Sequence, residues 1–156
     1  MNDFAVARAL HVLAVVLWIG GVAFVTTVLL PAVRRAQTAP DRLPLFDRIE
    51  RRFAGQARFT TVLAGATGFW MTQRYGLWPR FADPGFWWMH LMVAVWAIFT
   101  LMLFVLEPLV LHRLLERRNA RDPEGAFALV QRLHWMLLAL SLIAVLGAVL
   151  GAHGGL

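Results

Sequence analysis

The amino-acid sequence predicts an all-α integral membrane protein, a four-helix bundle running up-down-up-down. Three observations carry that prediction. Apolar residues make up 60% of the 156, above the about 45–50% usual in soluble domains. They fall in runs long enough for a helix rising ~1.5 Å per residue to cross a ~30 Å hydrocarbon core. The charged residues, 15% of the chain, are mostly arginines gathered between those runs. One transmembrane domain over residues 1–156 is expected, with spans at about 4–33, 59–78, 86–111 and 126–151 and an interfacial amphipathic helix at about 41–55 between the first two.

The first run, Ala9 to Val33, carries one ionisable side chain, His11. Inside a membrane such a group is costly unless it faces a partner, a cavity or a metal. Its helical face collects Arg8, Val15, Trp18, Val22 and Val25, and Gly20-Gly21 thins the helix for close packing. Residues 34–58 hold seven arginines. Among them Leu45, Phe46, Ile49 and Phe53 recur at helical spacing opposite Arg48, Arg51 and Arg52, the pattern of a helix in the headgroup plane, with Asp41 after Pro40 as its cap. The second run is the least apolar, and Thr60, Ala64, Gly68 and Thr72 form a small-residue stripe along it. Arg74 snorkels at its end beside Tyr75 and Trp78.

After the 79–85 turn the third run opens on Phe86-Trp87-Trp88-Met89-His90, an aromatic belt with a histidine one turn inside. Glu107-Pro108 stands toward its far end and His112 at its exit. Residues 113–132 read as a second basic loop, in which Asp122-Pro123-Glu124 marks a helix start with proline at the first helical position. The last run places Gln131, His134 and Ser141 on one face. Gly147, Gly151 and Gly155 keep an interval of four, which permits a homo-oligomer but serves packing within the chain equally well.

The charge of +6 is carried by arginine alone. Because the arginines flank apolar runs, they point to membrane topology and away from nucleic acid. Residues 34–58 and 112–132 hold 12 of the 15, so both segments should be cytoplasmic and both termini outside, in a bacterial inner membrane. The first run is too long for a signal-peptide core and should remain in the mature chain. No cysteine is present, which excludes disulfides, thiolate metal sites, iron–sulfur clusters and covalent haem attachment.

Alternating helix directions sort the histidines by depth. His11 and His90 fall at one level near the outer face, with His153 beyond it, and His112 and His134 at the inner side. Two imidazoles on diagonal helices at one depth suit bis-histidine ligation of a haem b, with Arg8 toward a propionate and Trp18 along the macrocycle edge. The bland alternative is a pair of interfacial histidines bonded to backbone or water. A copper site at His90 with Met89 and Met92 competes, since thioether and imidazole suit Cu(I), although neighbours on a helix diverge by ~100°. At the inner side His134 and His112 could ligate a second haem or form a quinone or proton-transfer site. Glu107 could serve in proton transfer or pair with Arg113 or Arg132.

The pattern A-L-H-x(6)-W-x-G-G around His11, Trp18 and Gly20-Gly21, closing on Leu-Pro and arginines, resembles the copper-resistance protein D (CopD) family and the HemJ-type protoporphyrinogen oxidases. The likeness extends loosely to the third run, Trp87 to Leu91. It implies copper uptake or tolerance on one side, and haem b with a quinone acceptor on the other. The chain lacks the HemJ-type lysine, His90 standing nearest that position, and has Leu133-His134 where an Asn-Glu-Pro motif would be expected. The function expected from the paired histidines is a haem b protein of the membrane-oxidoreductase type, passing electrons to a quinone or a partner redox protein. The alternatives are a copper uptake or tolerance protein and a structural subunit of a membrane complex.

Overall fold

The computed structural model describes residues 3–152, apart from the side chains of Pro108, Val110 and His112; His153 and Gly155 lie outside the described residues. Within that range the chain is all-helical, arranged as long helices joined by short turns. Helix α1 is Asp3–Ala36, α2 is Ala39–Arg74, α3 covers residues 87–121 and α4 is Pro123–Ala152. Two 3₁₀ turns, Trp78–Ala82 and Pro84–Phe86, lead from α2 to α3.

Three helical segments, Asp3–Ala36, Pro84–Glu107 and Pro123–Ala152, are long and apolar enough to cross a membrane. Their outward faces carry large apolar side chains such as Leu13, Val16, Leu101, Leu142 and Leu146, all exposed. Without lipid such a surface would be untenable in water.

Helix α2 differs from expectation. Its 36 residues run unbroken, so the arginine-rich stretch 41–55 is the first half of the helix that continues through 59–74, not a separate interfacial helix. Nothing between Gly55 and Phe59 stops it: Gln56, Ala57 and Arg58 are good helix formers, and Pro44 sits in its second turn, near the end where proline is tolerated. It ends at Arg74 rather than Trp78, because Gly76 takes a positive φ of 62°. The supposed loop 113–132 is also helical, with α3 reaching Arg121. The break is confined to Asp122, whose carboxylate accepts from the Gly125 N–H at 2.9 Å as α4 begins on Pro123.

Two stretches depart from α geometry. Val25–Leu29 in α1 and Met102–Leu111 in α3 are π-helical, and a proline follows or falls within each, Pro31 and Pro108. A proline has no N–H for the carbonyl one turn back, and widening the turn is one way the ladder accommodates it. In the first stretch the Leu30 N–H reaches back to Val25 O.

The helices α1 and α2 form the tightest pair, α3 packs along α4, and α2 also touches α3 and α4. Helices α1 and α3 stand on the long diagonal, bridged by Trp18 and Phe99, whose rings meet edge-on at 4.9 Å. One core cluster gathers Trp18, Ile19, Val22, Val95, Phe99 and Leu138; a second, toward the arginine-rich end, gathers Val25, Leu30, Leu43, Phe46, Phe127 and Val130. Glycines make notches for rings. A Cβ at Gly65 would stand 2.6 Å from the Trp96 ring, at Gly147 2.8 Å from Trp87, and at Gly21 and Gly151 it would collide with Phe53 and Trp88. The small-residue positions thus seat a neighbour's aromatic side chain.

Candidate functional site

The three histidines whose side chains are described, His11, His90 and His134, do not share one setting. The ring of His11 faces α2: its Nδ1–H points at Ala64 O at 2.9 Å and Thr67 Oγ1 at 3.0 Å. A carbonyl can only accept, so Nδ1 carries a proton, and Nε2 is the nitrogen whose lone pair a neutral imidazole would offer. Gly68 makes room for the ring, since a Cβ there would lie 3.2 Å from His11 Cε1. His90 is exposed and donates through Nε2 to Phe81 O at 3.0 Å, fastening the turn between α2 and α3. The inward face of α3 at that level belongs to Trp88 and Met89, both buried.

These positions bear on the cofactor. His11 has the arrangement of a ligating imidazole, with its other nitrogen bonded to a carbonyl. His90 is likewise bonded to a carbonyl through one nitrogen, Nε2 on Phe81 O, but its ring lies on an exposed position while Trp88 and Met89 take the buried face of α3. The two rings thus sit in different settings, His11 against α2 and His90 on an exposed position of α3. Of the residues read as a copper set, Met89 is buried, Met92 half-buried and His90 exposed. Arg8 is exposed, and Trp18 is packed against Phe99 as core. Among the described residues no group of three or more His, Cys, Asp or Glu is placed to hold a metal.

The arginine-rich end is where ionisable groups gather. Between the first half of α2 and the far half of α3 lies a cavity of about 850 Å³, walled by Asp47, Arg48, Glu50, Arg51, Arg58, Glu107 and Glu116 among apolar Phe46 and Leu111. Arg58 forms part of its wall. The guanidinium donates from Nε to Leu103 O at 3.1 Å and from Nη2 to Glu107 Oε1 at 3.1 Å. The carbonyl is available because in a π-helical ladder the Leu103 C=O would look to residue 108, a proline without an N–H. Glu107 was expected to pair with Arg113 or Arg132; it takes Arg58 instead, because the unbroken α2 carries Arg58 alongside Leu103. At the lip, Arg51 pairs with Asp47 at 2.9 Å on one helix face, and Arg42 grips both oxygens of Glu124 at 2.9 Å, joining the starts of α2 and α4.

Glu50 was not among the residues singled out by sequence. Burial first, then Glu107 and Asp47, push its carboxyl up to about 7, against the opposing pull of Arg58 and Arg51. It lines both the large cavity and a smaller one of about 30 Å³ deeper among the helices. The smaller cavity sits where the two core clusters join, bounded by Trp18, Val22, Phe53, Phe99 and Leu137. His134 borders it as well. Its Nδ1–H is taken by Val130 O at 2.9 Å and its ring stands edge-on to Phe46 at 5.6 Å. Ser141, on the same helix, is buried and donates to Leu137 O at 2.7 Å, so it completes its own helix and faces no site. The signal for Glu50 was an acid among apolar Phe46, Ile49 and Phe53 in a helix otherwise lined with arginines.

Searches of protein families, curated proteins and solved structures return no match to this chain.

Proposed function

We propose that the chain is an inner-membrane protein crossing the bilayer four times, and that the cavity at its arginine-rich end is a proton-exchange site serving a quinone or a redox partner protein. The observation that carries this reading is the cavity itself, in which Glu50 is set to lose and gain a proton near neutral pH. Arg58 and Glu107 hold each other and fix the wall, and Glu50 is left as the group that titrates.

Support for the fourth crossing comes from α2, whose second half shows Phe59, Val62 and Phe69 to the outside, 55–69% exposed, as the apolar helices show their own. The arginine excess at one end favours that end in the cytoplasm and both termini outside. The absence of cysteine makes the orientation testable. A single cysteine at Leu77 should react with an impermeant maleimide added to intact spheroplasts, and one at Gln37 only after lysis; the reverse pattern inverts the topology.

The proton site is tested by infrared titration of the purified protein in lipid nanodiscs. A protonated-carboxyl band with a midpoint near pH 7 is expected, absent in Glu50→Gln with helix content unchanged. Carboxyls that all titrate below about pH 5, or a band that survives the substitution, reject it. The redox assignment rests on the resemblance of the first span to the CopD and HemJ-type proteins. A second reading keeps haem or copper at His11 alone, favoured by its bonded Nδ1 and free Nε2. An absorption spectrum and metal analysis decide it: a Soret band or bound copper lost in His11→Ala supports it, and neither in the wild type removes it.

A further inference from the structure

Trp18, one of the residues that line the small inner cavity, carries an unmet donor. Trp18 is 4% exposed, and its indole Nε1–H has no hydrogen-bond partner. Burying such a group dry costs about 1–3 kcal/mol. Trp96 shows the ordinary solution, donating to Thr61 O at 2.9 Å. The cavity beside Trp18, about 30 Å³, exceeds the roughly 10–15 Å³ one water needs. Its polar border offers the carboxyl of Glu50, the His134 ring with Nδ1 already bonded, and the Trp18 indole. Two to four such partners are what an internal water requires.

We propose that this cavity is a water-binding site held by Trp18 Nε1–H, and that its water connects the Glu50 carboxyl to His134 Nε2, extending the proton path from the arginine-rich face toward the middle of the membrane. This rests on the proton-exchange reading of Glu50 and lengthens it. The step balances without any other reagent: the Glu50 O–H bond breaks as the water takes that proton, and a water O–H bond breaks as Nε2 takes another. The carboxylate left at Glu50 is refilled from the large cavity, where Glu107, Asp47, Glu116, Arg51 and Arg58 set the local charge.

The test uses full-length protein in nanodiscs with ¹⁵N-labelled tryptophan, the Trp18 signal assigned by its loss in Trp18→Phe. Two results are expected. The Trp18 indole proton shows a cross-peak to water, which Trp96, bonded to protein, lacks. In Glu50→Gln, a change of nearly equal size, the cross-peak persists but exchange of that proton with D₂O slows at least about tenfold, as expected when an acid–base group is removed. No cross-peak means a dry cavity and overturns the proposal. A cross-peak with exchange indifferent to Glu50→Gln also overturns it, since the water is then not linked to the acid. Either failure leaves the infrared midpoint of Glu50 standing by itself, and an ordinary midpoint with a wet Trp18 would remove the proton site while keeping the water.

Discussion

At the end that carries His11, His90 and Gly151, both histidine rings are bonded to backbone carbonyls and the notches at Gly147 and Gly151 are filled by indoles. At the arginine-rich end seven ionisable side chains border an open cavity, and one of them titrates near neutrality. Both ends are helical, so the contrast is one of chemistry and of filled against open space. Where hydrogen bonds are saturated and space is filled, a polar residue acts as a fastener. Where a like charge, burial and a cavity meet, it is poised to exchange a proton. The histidines drew attention because imidazoles are rare in a membrane, yet the carboxylates hold the reactive setting.

The largest effect expected from breaking this contrast lies at the sealed end. Gly151→Val drives a branched side chain into the Trp88 indole and should cost about 3 kcal/mol, read as a lowered thermal midpoint in detergent. It should leave the Glu50 carboxyl band in place in the fraction that remains folded. Next comes Arg58→Met, which strands Glu107 and the Leu103 carbonyl together. Because the pair is partly exposed, at 38% and 25%, the cost should be about 2 kcal/mol rather than that of a buried pair. It should also raise the Glu50 midpoint by removing a nearby cation. The smallest effect is a slope. Glu50 binds its proton more tightly folded, at about 7, than at the ordinary 4.5, so its contribution to stability is present below 4.5 and is lost as pH rises through 7. Glu50→Gln should flatten the decline of the thermal midpoint over that window; an equally steep decline in the variant would assign it to another group.

Much of the fold was legible because it follows from period and length. The apolar runs around Trp18, Val95 and Leu138 gave membrane-length helices, and Asp122-Pro123 gave a helix start. What misled was reading polarity as a boundary. Seven arginines between 34 and 58 suggested a segment lying flat, but from Leu45 to Arg58 no residue interrupts the hydrogen-bond ladder, and a helix can carry arginines beyond the bilayer as easily as along it. The same error hid the Arg58–Glu107 pair, since Arg58 was assigned to a connection and not to the wall of α2. His90 was placed inward from its depth alone, and depth does not fix azimuth; the aromatic run Trp87-Trp88-Met89 competes for the inward face, and Trp88 with Met89 takes it. Glu50 stood in the sequence only as an acid among Phe46, Ile49 and Phe53; the burial that raises it comes from the packing of the helices, and Glu107, which adds to it, lies on α3.

The widened turns before Pro31 and within 102–111 hold more residues than the regular pitch needs. Each of these two helices therefore carries slack. Removing one residue from 102–107 lets the ladder close to its tighter form while the far half keeps its facing. Removing one from Trp87–Leu101 has no slack to draw on and swings everything beyond it by ~100°. A shortened third span should consequently tolerate its deletion in one half and collapse from it in the other.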